Sequence, residues 1–193
     1  MSESGPHIDE IRALRDALME DVIETPVLRA WALERALGGG TRVTAKLEFL
    51  QRTGTFKARG ALATLRGLSA DQLGRGVTAV SAGNHAIATS FAAQAMGSSA
   101  KVVMIRTASP VRVESCRHYG AEVVLADDVH EAFEVAKRIE REEGRYFVHP
   151  FEGPSVALGT GTVGLEICEQ VGDLSLIHIS EPTRPTRASR MPS

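Results

Sequence analysis

Cysteine is scarce: Cys116 and Cys168 are the only two in 193 residues. They lie far apart and make no metal-type spacing. Both are read as reduced core thiols in a cytoplasmic protein, with a disulfide as the alternative. No apolar run approaches the ~20 residues that a membrane helix needs, so no membrane span is expected. The start, Met1-Ser2-Glu3-Ser4-Gly5-Pro6-His7, lacks a basic n-region and an apolar h-region, which argues against a secretory signal. Positive charge is not in excess: 22 Lys and Arg against 24 Asp and Glu give a formal net charge of -2. That leaves no basic footprint for nucleic acid. What is present is ordinary for a globular chain. The 43% of hydrophobic residues can bury a core, 24% are charged, and the length fits one domain or two small ones.

The spacing of apolar residues predicts the elements. Ile8, Ile11, Leu14 and Leu18 recur at helical intervals over residues 7–20, and Pro26 breaks the pattern. A second helix is expected over residues 29–37, stopped by Gly38-Gly39-Gly40. Residues 41–49 alternate through Val43, Ala45 and Leu47 and predict a strand. The stretch around Lys57 is expected to open a helix running to about Leu68, with Lys57 near its first turn, and Ser69 with Gln72 makes a capping box. Strands over residues 77–81, 100–105, 122–125 and 146–149 then alternate with helices opened by Gly83-Asn84, Ser109-Pro110 and Asp128. This alternation implies parallel pairing and right-handed crossovers, hence a small open α/β sheet with helices on both faces. A last helix is expected over residues 159–171, with Val163, Ile167 and Val171 on one face. Residues 174–193 have scattered Pro and Arg and no period, and predict disorder. The string from Leu174 to Arg184 also resembles translated sequencing-adapter read-through, so a non-native tail is expected, with a genuine flexible C-terminus as the alternative.

Two strings carry the chemistry. The first is Thr53-Gly54-Thr55-Phe56-Lys57-Ala58-Arg59-Gly60-Ala61, and the second is Ser81-Ala82-Gly83-Asn84-His85-Ala86. A lone Lys is ordinarily a solvated surface residue. A Lys at a buried helix start is different, because the positive end of the helix dipole disfavours its ammonium form and favours a nucleophilic amine. The second string lies where a strand ends and a helix begins, the position at which open α/β sheets bind ligands. Backbone N–H groups there suit a carboxylate, and Gly83 permits close approach. Read by themselves, Ser81 and Asn84 could merely cap the helix.

Together and in this order the two strings resemble those of the fold-type II enzymes that use pyridoxal 5'-phosphate (PLP), the tryptophan synthase β-like fold. Within them the likeness is to threonine/serine dehydratases and serine racemases. It runs from about residue 25 to about residue 171. Thr55 stands where the family usually has Ser, which keeps the hydroxyl. The resemblance implies that Lys57 forms the Schiff base with PLP and acts as general base, with Phe56 against the cofactor or its pocket wall. It implies that Asn84 hydrogen-bonds the ring hydroxyl of PLP, and that Ser81, Ala82, Gly83 and His85 line the amino acid substrate, Ser81 and His85 holding its carboxylate. Arg59 is read as a structural brace of the loop, with a charge in the site as the alternative. Ala82 matches the second Ser of serine racemases, which donates a proton on the opposite face; Ala82 has no proton to give, which favours a dehydratase. The full-length parent is expected to be a homo-oligomer.

The resemblance also divides the chain. Residues 1–72 would be the N-terminal part of a large domain and 73–148 the small α/β domain, with 149–173 the start of the return to the large domain. The family's glycine-rich phosphate loop and the partner of its pyridine nitrogen are expected farther on, as are the metal ligands that some members carry. Three function classes follow. The first is a dehydratase releasing a 2-oxo acid and ammonia from L-threonine or L-serine, or a related lyase for another β-hydroxy amino acid. The second is an inert fragment or weak ligand-binding module. The third is a nicotinamide dehydrogenase, resting on Gly159-Thr160-Gly161-Thr162-Val163-Gly164, which matches GxGxxG but has Pro154 in its approach and no strand immediately before it. The string is read as helix packing instead. His118, His130 and His149 show no joint metal spacing and are read as surface or core residues.

Overall fold

The structure, a computed structural model, describes residues 5–172 and 174–176. The disorder expected of the tail therefore falls largely on residues outside those described. In chain order the elements are α1 (Ile8–Ala17), β1 (Val27–Arg29), α2 (Trp31–Leu37), β2 (Thr44–Lys46), α3 (Lys57–Arg66), α4 (Ala70–Arg75), β3 (Val77–Val80), α5 (Asn84–Ala95), β4 (Ala100–Ile105), α6 (Pro110–His118), β5 (Glu122–Ala126), α7 (Val129–Glu143), β6 (Tyr146–Phe147) and α8 (Pro154–Val171). Local chemistry sets several boundaries. Ser69 and Gln72 close a reciprocal capping box at α4, with Gln72 N 3.2 Å from Ser69 Oγ and Ser69 N 2.9 Å from Gln72 Oε1. Asp128 Oδ1 accepts from Glu131 N at 2.8 Å to start α7, and Gly144 at φ +66° ends it.

Four strands form a parallel sheet in the order β5-β4-β3-β6. The chain starts at β3, steps outward through β4 to β5, then returns across the sheet to lay β6 on the other side of β3. Alternate side chains enter two cores, as the strand period of two requires. Val77, Ala79, Val102 and Met104 join α5 and α3 residues on one face. Val80, Val103 and Val124 meet Ala132, Ala136 and Ile139 of α7 on the other. Helices thus cover both faces, as expected. The crossover via α5 and the return via α7 diverge at the β3/β6 boundary. That boundary is a topological switch point, where a crevice opens beyond the strands' carboxyl ends.

Three expectations are corrected. The strand over residues 41–49 shrinks to β2, which pairs antiparallel with β1; the segment before α2 is a strand, and the helix starts at Trp31. This pairing is non-local and leaves no periodic signal in so short a run. The last helix starts at Pro154, five residues early, because Pro suits the first helical position and Gly153 turns in at φ +111°. Cys168 is exposed and so is not a core thiol, whereas Cys116 is buried; both are free. Among the described residues, no helix is long and apolar enough to cross a membrane.

Candidate active site

Lys57 is the first residue of α3. Its backbone is set by a tight approach: Gly54 at φ +72°, Gly54 N on Gln51 O at 2.7 Å, and Lys57 N on Thr55 Oγ1 at 3.3 Å. The hydroxyl at position 55 thus does a capping job that Ser would do equally. Two residues on, Arg59 is buried and brackets the start of α3. It donates to Glu48 at 2.9 and 3.0 Å, to Glu166 at 2.6 and 2.9 Å, to Thr162 Oγ1 at 3.1 Å and to Ile23 O at 3.2 Å. Burial works against its charge, but Glu166 and Glu48 outweigh that, and its pKa stands above the ordinary guanidinium value. Lys46 also pairs with Glu166. Arg59 is the structural brace expected of it.

The Lys57 amine is held by the strip that follows β6. Its Nζ donates to Pro150 O at 3.2 Å and lies 4.4 Å from the Phe151 ring centroid and 5.3 Å from that of Phe56. Two residues back on the same strip, Val148 O accepts from His85 Nε2 at 2.9 Å. The strip therefore joins the Lys57 end of α3 to the start of α5. It lies at the carboxyl end of β6, the strand beside β3 in the sheet.

The 81–84 loop leaves β3 with Ser81 N on Val103 O at 3.1 Å. Ser81 Oγ accepts from Gly83 N at 3.1 Å, so its hydroxyl shapes the loop itself. Ala82 and Gly83 carry the chain into α5, and Asn84 is its first residue, half-buried. His85 is buried, and its pKa falls to about 4. Desolvation is the chief cause; the charges of Lys57 and His149 push the same way, against the Val148 carbonyl. His85 is thus a neutral imidazole, with Nε2–H donating to Val148 O.

The other sequence candidates separate clearly. The residues of the GxGxxG string lie inside α8, not in a strand-to-helix turn. A Cβ on Gly159 would stand 2.5 Å from Arg59 O, and one on Gly161 2.9 Å from the Ile11 side chain. The string is helix packing, and the dinucleotide reading loses its structural context. Among the described residues, no three His, Cys, Asp or Glu side chains group to hold a metal ion. Sequence reasoning missed two contributors. Phe151 was legible only as part of His149-Pro150-Phe151 before the glycines. Arg112 of α6 donates to Ala82 O at 3.4 Å, a contact with no sequence signature.

The donor set suits an aromatic aldehyde. A primary amine lies near two phenyl rings, and the strip that holds it also holds His85, the residue after the Asn that starts α5. A family model described as "Pyridoxal-phosphate dependent enzyme" matches residues 18–180. The phenylserine dehydratase of Ralstonia pickettii is 52% identical over 174 residues, 90% of this chain and 53% of that protein. The L-threonine ammonia-lyase of Thermotoga maritima is 39% identical over 173 residues, 89% of this chain and 43% of that one. The solved structure of maize serine racemase superposes with a TM-score of 0.81 at 33% identity, covering 87% of this chain and 51% of that one. The chain spans about half the length of the curated relatives it matches.

Proposed function

Because the chain belongs to the pyridoxal-phosphate dependent enzyme family, we propose that it serves a dehydratase that eliminates water from a β-hydroxy amino acid, the resulting imino acid then taking up water to release ammonia and leave a 2-oxo acid, so that ammonia is the net loss. One observation carries this reading: Lys57 Nζ and His85 Nε2 donate to carbonyls two residues apart on one strip, at 3.2 and 2.9 Å. The amine and the second string thereby meet at the sheet's switch point.

In this reading Lys57 holds the cofactor through its amine and moves the proton at the substrate Cα. Asn84 donates to the ring hydroxyl, and Phe56 walls the ring. When bound, the cofactor supplies the electron sink that makes so weak a carbon acid reactive. The 81–85 loop receives the substrate, its carboxylate lying near the start of α5. The same proposal takes residues 1–72 and 149–173 as one body and 73–148 as the small domain, and places the protein in the cytoplasm.

The substrate side chain is aryl or short. A phenylserine dehydratase and threonine ammonia-lyases are among the relatives. Racemases are also among the neighbours, and Ala82 favours dehydration because it carries no hydroxyl to return a proton on the opposite face. The test has two parts. Borohydride reduction with PLP followed by peptide mapping should label Lys57; label spread over surface lysines would favour an inert domain. Incubation with PLP and phenylserine, L-threonine or L-serine should release ammonia and a 2-oxo acid, while racemised amino acid without ammonia would overturn the dehydratase.

A further inference from the structure

Under the reading above a substrate's carboxylate is an anion that comes to the 81–85 loop, and the side chains of that loop carry no positive charge of their own. The His85 imidazole is neutral and committed to Val148 O. Ala82 offers no hydroxyl. The Lys57 amine is committed to the cofactor under the reading above.

Arg112 remains. It is the third residue of α6, whose first turn follows β4 and so stands beside the loop that follows β3, since Val80 and Val103 are paired in register. Its Nη1 donates to Ala82 O at 3.4 Å. A Cβ on Gly83 would fall 2.7 Å from Nη1 and 3.4 Å from Cζ, so the guanidinium lies directly over the Gly83 α-carbon. One long hydrogen bond engages one of its five N–H donors. Among the described residues no carboxylate pairs with Arg112, whereas Arg15, Arg29, Arg59, Arg75 and Arg106 each have one. A cation in the first turn of a helix also opposes the helix dipole, and α6 has no acid in that turn to offset it. A guanidinium in this position is poorly satisfied by the protein alone. Its planar fork matches a carboxylate with two parallel hydrogen bonds.

We propose that Arg112 is a specificity-determining residue of this site, whose guanidinium receives the α-carboxylate of an amino acid substrate beside the 81–84 loop. The inference rests on the dehydratase reading for the identity of the ligand, but not for the place of binding.

The test titrates L-threonine, and separately its carboxyl-free counterpart L-threoninol, into the full chain with saturating PLP. Amide chemical shifts of Ala82 to His85 are the readout, and they do not require turnover. L-Threonine should move these amides and bind at least about tenfold more tightly than L-threoninol. Arg112→Gln should remove most of that preference, and Arg112→Lys should recover part of it. Equal affinity of L-threonine for the wild-type chain and Arg112→Gln, with Arg112→Lys also unchanged, would overturn the proposal. So would shifts confined to amides away from the loop. Should borohydride fix PLP on a lysine other than Lys57 while the carboxylate preference still tracks Arg112, the dehydratase reading fails and the carboxylate site stands.

Discussion

Gly159 and Arg59 meet backbone to backbone: a Cβ built on Gly159 would stand 2.5 Å from Arg59 O and 2.7 Å from Gly60 Cα. Neither atom belongs to a flexible side chain, so α8 and α3 would have to part to admit a methyl group. Gly159→Ala should destabilise the chain by about 1–3 kcal/mol, the usual range for overpacking. Thermal or urea unfolding monitored by circular dichroism checks it. Gly164→Ala is the control, since nothing lies within 4 Å of its Cβ position.

The same contact brings Glu166 to Arg59. Their side chains are 2% and 1% exposed, and Lys46 shares the Glu166 carboxylate. Glu166→Gln keeps the shape but leaves Arg59 with Glu48 as its remaining carboxylate, and takes from Lys46 the carboxylate it pairs with. The expected loss is about 3 kcal/mol, because removing one partner of a buried pair strands the other charge. A urea denaturation midpoint measures it. A second change, Lys46→Met, should recover part of the loss by removing one stranded cation. No recovery would show that the Arg59 contacts carry the whole effect.

Much of this arrangement was legible in the sequence where the signal was local. Ser69 with Gln72, and Asp128 before α7, satisfy helix-end N–H groups within a few residues, and Pro110 at the start of α6 brings no N–H to satisfy, so these boundaries follow from nearest neighbours. The buried charge cluster was not legible. Glu166 lies 107 residues from Arg59, and Lys46, Glu48, Arg59 and Glu166 each taken alone resemble surface charges. The β1–β2 pairing is hidden for the same reason, its partners 19 residues apart at Val27 and Lys46. Within the candidate site, Lys57 and His85 were identifiable by motif, but the Pro150 and Val148 carbonyls to which they donate are backbone atoms and leave no trace in residue type.

His85 gives the site a pH signature. Its pKa is near 4 in the folded chain against an ordinary 6.5, mainly because burial opposes the charged ring. The folded value is the lower one, so the unfolded chain binds the proton first as pH falls. The stability that neutral His85 retains at pH 7 is therefore lost progressively between about pH 6.5 and 4, to a limit of about 3 kcal/mol. Urea unfolding of the wild-type chain and His85→Gln should diverge at pH 7 and converge towards pH 4. Parallel curves across that range would mean that His85 does not titrate in this way.

Gly83 separates the seat of Arg112 from the stability of the fold. The obstacle to a methyl group at Gly83 is Arg112 Nη1 at 2.7 Å, the far end of a flexible side chain. Its backbone does not sit at positive φ: the angle is -154°. Gly83→Ala should therefore fold with a stability loss below about 1 kcal/mol, as Arg112 swings aside. The guanidinium would then leave Ala82 O, and with it the position from which it covers the loop. Affinity for a carboxylate-bearing amino acid should fall towards the Arg112→Gln value, while borohydride labelling of Lys57 by PLP persists. A chain that unfolds at lower urea by the equivalent of several kcal/mol would instead show that the 81–84 loop, rather than the arginine, is what cannot move.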